Sequence, residues 1–184
     1  MAEDVATCGY PGCVGEPRWL SDDEQYTWRA YLAATRLLNA QLDRELQRDA
    51  GIPHTYYEIL VRLSEAPNWQ LRMSDLADAS ESSRSRLSHA VARLEEAGWV
   101  TRKACPTDRR GAFAVLTQSG FDALVAAAPG HVEGVRRHLF DRLTPEQVKQ
   151  LAEICDAVID GLRADDPHRR PPNLSPKQEP ATAS

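Results

Sequence analysis

Residues 71–120 hold two helical patterns followed by two strand-like patterns, an order that few folds accommodate. Ser74 can cap a short first helix, and Ser82 or Ser83 can open a longer second helix that ends at Gly98. The strand-like segments that follow are rich in Val, Thr and aromatic residues. The segment therefore predicts a helix-turn-helix followed by a β-hairpin wing.

The predicted wing consists of segments 99–104 and 112–117, joined by a loop over 105–111 that contains Pro, Asp and Gly. Folds of this kind place the second helix in a DNA major groove and the wing against the backbone or minor groove. Arginine at a wing tip suits the negative potential of a narrow minor groove, and a neighbouring aspartate can orient the guanidinium. The alternative is a solvated salt bridge in a turn. The wing residues expected at DNA are Asp108, Arg109 and Arg110.

The charge distribution supports a nucleic-acid partner although the whole chain is acidic. The formal net charge is −5. Segment 84–110 carries seven basic and three acidic residues, a net charge of +4, which leaves −9 on the rest of the chain. Because local charge governs contact with phosphates, a basic patch on an acidic body is compatible with DNA binding.

The second helix of the pair has a buried and a polar side. Leu87, Val91 and Leu94 recur at helical spacing and define the buried side. An arginine on the other sides of the helix can make a bidentate pair of hydrogen bonds to guanine, and Ser or His can bond to base edges or phosphates. Early positions are the best base readers because recognition helices usually enter the groove N-terminus first. A merely solvated polar face is the alternative. The helix residues expected at DNA are Ser82, Ser83, Arg84, Ser85, Arg86, Ser88, His89 and Arg93.

Further helices flank this segment. Capping boxes at 21–24, 55–58 and 144–147 predict three helix starts, and Pro129 predicts a kink or break in the helix that follows the wing. Apolar stripes along the first and last helices, over 28–46 and 148–162, show more apolar surface than one small lobe can bury. We therefore expect a homodimer with these helices at its centre. Cys155 is expected in the core.

The expected fold is mainly α with a small β-hairpin wing, a winged helix-turn-helix with a helical dimerisation region. A flexible arm without periodicity and a disordered, Pro-rich tail flank the folded part. The boundaries are 1–20 for the arm, 21–163 for the folded domain, about 55–118 for the winged helix-turn-helix, about 21–50 and 118–163 for the dimerisation helices, and 164–184 for the tail.

A family resemblance rests on the wing. Asp108, Arg110, Leu116, Thr117 and Gly120 complete the pattern D-x-R-x5-L-T-x2-G. With LRMSDLA and ARLEEAGWVTR upstream, these residues resemble the MarR family, the multiple-antibiotic-resistance regulators, and the resemblance spans roughly residues 21–163.

The resemblance implies a DNA-binding transcriptional regulator, with repression as the expected mode of action. It further implies a homodimer with interleaved N- and C-terminal helices that binds a palindromic operator and is released by small aromatic or phenolic effectors. In some branches, the resemblance implies, cysteine oxidation takes the place of such an effector. His89 stands where many relatives have a small or basic residue, so the operator sequence does not transfer. Both tails fall outside the resemblance.

Aromatic residues of the first two helices and of the segment before the short helix predict an effector pocket. A cleft with aromatic walls and a few polar tips suits a phenolic ligand. Plain core packing is the alternative. The candidate ligand residues are Trp28, His54, Tyr56, Tyr57 and Trp69.

Four cysteines are too few and too scattered for a disulfide scaffold. Cys8 and Cys13 are close in sequence but make only half of a zinc site, so no metal or cofactor is expected. Oxidation of Cys8, Cys13 or Cys105 remains an alternative route of regulation, since Lys103 beside Cys105 could lower the pKa of its thiol.

Other function classes find little support. The sequence shows no secretory signal and no apolar run near the ~20 residues of a membrane span, so a cytoplasmic protein is expected. It shows no phosphate loop, no Ser-His-Asp arrangement and no metal-binding helix motif, which argues against an enzyme. A winged helix used for protein–protein contact is the remaining alternative, and such a wing would carry apolar tips rather than arginines.

Overall fold

The computed structural model describes residues 17–80, 83–105 and 108–165, with residues 108–110 described by their backbone alone. Most of the predicted arm and tail, residues 1–16 and 166–184, lies outside the described residues. The chain divides into two compact units, 1–37 and 38–184. No helix of the described residues is long and apolar enough to cross a membrane.

The elements confirm a mainly helical fold with a small antiparallel sheet. Short 3-10 turns lie at Pro67–Trp69 and Phe140–Arg142. The helices and strands are α1 (Asp22–Ala50), α2 (His54–Glu65), β1 (Gln70–Arg72), α3 (Met73–Ala79), α4 (Arg84–Glu96), β2 (Val100–Cys105), β3 (Asp108–Leu116), α5 (Gln118–His138) and α6 (Pro145–Asp165).

Two of the predicted capping boxes form. The backbone N–H of Ser21 donates to Glu24 Oε2 at 2.7 Å, and the N–H of Glu24 donates to Ser21 Oγ at 3.2 Å. The N–H of Thr144 donates to Gln147 Oε1 at 2.9 Å, and the N–H of Gln147 donates to Thr144 Oγ1 at 3.2 Å. Both helix starts follow from local sequence because donor and acceptor are three residues apart.

Two other predicted caps are wrong. The box at Thr55 does not form, because α2 begins at His54, whose N–H donates to the Asp43 carboxylate of α1 at 2.8 Å. A distant side chain thus satisfies a group that a local cap was expected to satisfy. Ser74 does not cap α3 either, since β1 runs directly into that helix and Arg72 occupies the cap position.

The sheet has three strands in the order β1-β3-β2, whereas the sequence predicted two. The additional strand is β1, which pairs with β3 through Leu71 and Ala114. Because Cys105 pairs with Asp108, the connection between β2 and β3 is shorter than the predicted loop over 105–111. Asp108, Arg109 and Arg110 therefore open a strand instead of forming the loop tip.

The core of the second unit lies between α2, α4, the sheet and α5. Leu60, Leu63, Leu87, Val91 and Leu94 are each at most 2% exposed. The buried strand positions Val100, Ala114 and Leu116 complete the same cluster. This packing fixes α4 by its apolar side against the rest of the unit, so its polar side is presented in one orientation.

Of the kink or break predicted at Pro129, the break is wrong, because α5 continues through the proline from Gln118 to His138. Proline removes one backbone hydrogen bond from a helix. Buried residues lie before it, at Leu124 and Ala127, and after it, at Gly134. We infer that packing on both sides of the proline holds the helix together.

Helix α6 contains no buried residue, so the expectation of a core Cys155 is wrong for this chain alone. Ile154 and Val158 are 61% and 56% exposed. In the first unit, Trp28 and Tyr31 are also exposed and stack on each other with ring centroids 6.1 Å apart. Each unit therefore has apolar side chains that its own packing leaves uncovered.

Candidate nucleic-acid interface

Helix α4 has the buried apolar side and the exposed polar side that the sequence predicts. Ser83 caps the helix, and its hydroxyl accepts the N–H of Arg86 at 3.3 Å. This cap aligns the first turn, where Arg84, Ser85 and Arg86 are all exposed. Ser88, His89 and Arg93 are exposed further along. Ser82, the remaining candidate of this helix, lies outside the described residues.

The arginines of this surface differ in how far they are already engaged. Arg93 donates to Glu96 at 2.7 Å, and this hydrogen bond raises the pKa of the guanidinium. Arg84 and Arg86 stand in the first turn, away from that pair in sequence. A guanidinium that is bound to a carboxylate must give up that partner before it binds DNA. We therefore expect the arginines of the first turn to contribute more to DNA binding than Arg93 does.

Arg102 joins the wing sheet to α4. Its guanidinium donates to the Ser88 carbonyl at 2.8 Å and lies 3.3 Å from the Glu95 carboxylate. The Arg102 backbone N–H donates to Glu95 as well, at 2.9 Å. These bonds join β2 to α4. The sequence marked Arg102 only as part of a basic segment, and its positioning role could not be seen there.

The second half of the wing signature is structural. Thr117 caps α5, because its hydroxyl accepts the Gly120 N–H at 3.0 Å and donates to the Gly98 carbonyl at 2.8 Å. The Thr117 N–H donates to the Trp99 carbonyl at 3.0 Å. Both ends of the β2–β3 hairpin are thus tied to the start of α5. The wing candidates Asp108, Arg109 and Arg110 lie at the other end of that hairpin, and their side chains are outside the described part.

The predicted ligand residues lie in separate surroundings. Tyr57 and His54 both contact His131 of α5, with ring centroids 4.6 and 5.5 Å away. Burial raises the pKa of Tyr57 and, together with the His54 charge, lowers that of His131. Trp69 instead stacks on Phe121 at 4.6 Å. Trp28, the remaining aromatic besides Tyr56, belongs to the first unit.

Tyr56 lines a cleft beside α4. This open cleft of about 620 Å³ lies between the start of α2 and the polar side of α4. Arg86, His89, Arg93 and the carboxylate of Glu96, which pairs with Arg93, line its other wall. An aromatic ring and guanidinium groups therefore face one space, and all of them are residues that the sequence singled out for different reasons.

The cysteines do not form a described thiol cluster. Cys105 is buried, at 5% exposure, and Cys155 is exposed. Cys8 and Cys13 lie outside the described residues. Among the residues that the structure covers, no group of three or more His, Cys, Asp or Glu could hold a metal ion.

Comparison with known proteins finds similarity to transcriptional regulators of the MarR family. A model of the MarR family matches residues 50–111. The chain is 57% identical to Sco3205, a MarR family transcriptional regulator from Streptomyces coelicolor solved in complex with DNA, over 80% of this chain and 92% of that one, with a TM-score of 0.76. AbsC, a MarR family transcriptional regulator from the same organism, is 47% identical over 80% of this chain and 99% of its own, with a TM-score of 0.74. The HTH-type transcriptional regulator MhqR of Bacillus subtilis is 26% identical over 137 residues, which are 74% of this chain and 90% of MhqR.

Proposed function

This chain belongs to the MarR family of winged helix-turn-helix transcriptional regulators, and we propose that it binds a palindromic DNA operator as a homodimer and represses transcription there. The observation that carries the proposal is the arrangement of α4. Leu87, Val91 and Leu94 anchor the helix in the core, while Arg84 and Arg86 are exposed in its capped first turn.

In this proposal the first turn of α4 reads base edges and the wing contacts the backbone or minor groove. The residues proposed to contact DNA are Ser82, Ser83, Arg84, Ser85, Arg86, Ser88, His89 and Arg93 at α4 and Asp108, Arg109 and Arg110 in the wing. Two copies are needed because a palindrome offers two half-sites about one DNA turn, ~34 Å, apart. Selection of bound fragments from genomic DNA by the purified protein would yield the operator. An inverted repeat is expected, and recovery of fragments with no shared sequence would contradict operator recognition.

We expect Arg86→Ala to weaken operator binding and to relax base preference at one position in each half-site. A lost bidentate contact to a base costs about 1–3 kcal/mol. Arg93→Ala is the matched comparison, because the same side chain is lost from the same helix but its guanidinium is already bound to Glu96. Titration of both variants against the operator and against single-base variants at fixed salt measures the effect. Unchanged affinity and base preference in Arg86→Ala would reject base reading by this turn.

Release of the protein from its operator by a small aromatic acid is part of the proposal, and the cleft beside Tyr56 supports this part. The tyrosine ring can stack on an aryl group, and Arg86 can pair with its carboxylate. An effector bound there would occupy a guanidinium proposed to contact DNA. Ligand and operator would then exclude each other, which gives the effector the preference for the DNA-free state that release requires.

We expect salicylate to lower operator affinity, and Tyr56→Ala to blunt that response while DNA binding persists. Tyr56→Phe keeps the ring and is expected to retain most of the response. A titration of operator binding with increasing salicylate measures all three proteins. No response of the wild type to salicylate or other phenolic acids would reject the cleft as an effector site. A response to peroxide that is lost on Cys8→Ser, Cys13→Ser or Cys105→Ser would favour a thiol switch instead.

A further inference from the structure

One acidic side chain of α4, that of Glu95, holds the outer strand of the wing sheet. Strand β2 is an edge strand, because the order of the sheet is β1-β3-β2. One oxygen of the Glu95 carboxylate accepts the backbone N–H of Arg102 in this strand at 2.9 Å. The other oxygen lies 3.3 Å from the Arg102 guanidinium. This Glu95–Arg102 bridge therefore engages both the backbone and the side chain of one wing residue.

The bridge reaches along two turns of α4. Besides its ion pair with Glu95, the Arg102 guanidinium donates to the Ser88 carbonyl at 2.8 Å. Ser88 and Glu95 are seven residues apart, which is about two helical turns or ~10 Å along the axis. Contacts at two points along a helix restrain the direction of a strand as well as its distance from the helix.

The position of Arg102 in the hairpin makes this restraint useful for DNA binding. The base of the hairpin is bound to the start of α5 through Thr117, and the wing residues 108–110 lie at the far end. Arg102 lies between the two, where it pairs with Ala114 of β3. The orientation of the wing relative to α4 thus depends on the hairpin base and on the Glu95–Arg102 bridge.

The charge of Glu95 is unfavourable for a residue near DNA. A carboxylate repels phosphates, so its removal from a DNA-binding surface ordinarily strengthens binding. We propose that Glu95 nevertheless favours operator binding, as a positioning residue that sets the wing relative to α4 through Arg102 so that both elements reach DNA together. This inference rests on the proposed function, which supplies the DNA contacts of α4 and of the wing.

The sign of the effect of Glu95→Ala tests the inference. The variant should lower operator affinity about fivefold or more, the lower end of what one lost contact to DNA costs. Glu95→Gln keeps an oxygen that can accept the Arg102 N–H, so its affinity should lie between those of Glu95→Ala and the wild type. If Arg102 itself contacted a phosphate, both changes would release its guanidinium from a carboxylate and raise the affinity, and this result would overturn the proposal.

Glu96→Ala is the matched control for the loss of a negative charge. It removes the same group from the next position of α4, where the carboxylate pairs with Arg93 of the same helix and not with the wing. Because the change releases Arg93 and removes a repelling charge, it should raise operator affinity. A loss equal to that of Glu95→Ala would assign the effect to the end of the helix and overturn the proposal.

A double-mutant cycle separates positioning of the wing from general support of the fold. In an Arg110→Ala protein the proposed wing contact is already lost, so Glu95→Ala should cost less than about a further twofold. In an Arg86→Ala protein the loss should persist in full, because Arg86 acts through α4. An undiminished loss in the Arg110→Ala protein would show that Glu95 does not act through the wing and would overturn the proposal.

The measurement is a titration of operator and scrambled duplex at fixed salt, with thermal unfolding recorded for each protein so that only folded variants are compared. A wild type that prefers its operator, beside a Glu95→Ala protein of undiminished affinity, would overturn this inference alone. A wild type that does not prefer its operator over the scrambled duplex would overturn the proposed function, and the inference with it.

Discussion

We expect Gly120→Ala to remove a large part of the folding stability of this protein. A Cβ atom at this position would lie 2.2 Å from the Trp99 carbonyl oxygen and 2.9 Å from Leu116 Cδ1. The carbonyl cannot readily move away, because it also accepts the Thr117 N–H at 3.0 Å. Overpacking of a core commonly costs about 1–3 kcal/mol and more when backbone must shift, out of a total stability of about 5–15 kcal/mol.

Gly130→Ala is the control, since it adds the same methyl group to the same helix. Nothing lies within 4 Å of a Cβ built at Gly130. Alanine is favoured over glycine in a helix by about 0.5–1 kcal/mol, so this variant should be unchanged or slightly more stable. Urea unfolding followed by circular dichroism measures both free energies of unfolding. Equal stability of the two variants would show that the close approach at Gly120 does not limit the fold.

Gly120 also shows that a sequence pattern can identify a fold without revealing what each of its residues does. Thr117 and Gly120 were noticed as parts of a signature over the wing, yet their contacts are with the base of the hairpin and the start of α5. The glycine is required because a backbone carbonyl occupies the space of its side chain. The pattern thus identified the fold correctly, while the role of each residue within it became visible only with the tertiary contacts.

Elements determined by local pattern were predictable from the sequence. The buried side of α4 follows from residues three and four apart, and Leu87, Val91 and Leu94 are indeed buried. Elements determined by distant partners were not. The start of α2 depends on Asp43, eleven residues before His54. Strand β1 has three residues and exists because β3 pairs with it.

The same distinction applies to the candidate site. Exposure of the first turn of α4 was predictable, because it is the complement of the apolar side. The engagement of Arg93 by Glu96 is local, but that of Arg102 by Glu95 and Ser88 joins two elements. The aromatic residues predicted to form one pocket have different neighbours. Tyr57 contacts His131 and Trp69 stacks on Phe121, and these two residues lie at different positions of α5, which is distant in sequence. Composition could indicate a basic surface but not which cations are available to an anion.

The uncovered apolar side of α6 is the remaining feature that bears on function. Ile154, Val158 and Leu162 recur at helical spacing and are 61%, 56% and 47% exposed. Contiguous exposed apolar surface of this kind marks an interaction site. Under the proposed function a second copy of the chain covers it, in agreement with the homodimer predicted from the apolar stripes.

We expect Val158→Glu to produce monomers and to remove tight operator binding. The side chain is half exposed within the chain, so the subunit should fold, whereas a carboxylate buried in a dimer interface without a partner is costly. A monomer binds one half-site and loses the gain of about 100-fold or more that joining two sites provides. Light scattering at micromolar concentration and operator titration measure the two effects.

Lys149→Glu tests whether charge alone explains the result. It makes a larger change in net charge on the same helix, at a position roughly opposite Val158 at 100° per residue. Lys149 is exposed and pairs with Glu153 at 3.8 Å, and an exposed pair of this kind contributes little to stability. This variant should remain a dimer and bind the operator. A dimeric Val158→Glu protein would remove α6 from the interface, and a monomeric Val158→Glu protein with undiminished operator affinity would show that one winged helix suffices for recognition. Because the two results concern different claims, oligomeric state and DNA affinity must be measured on the same preparations.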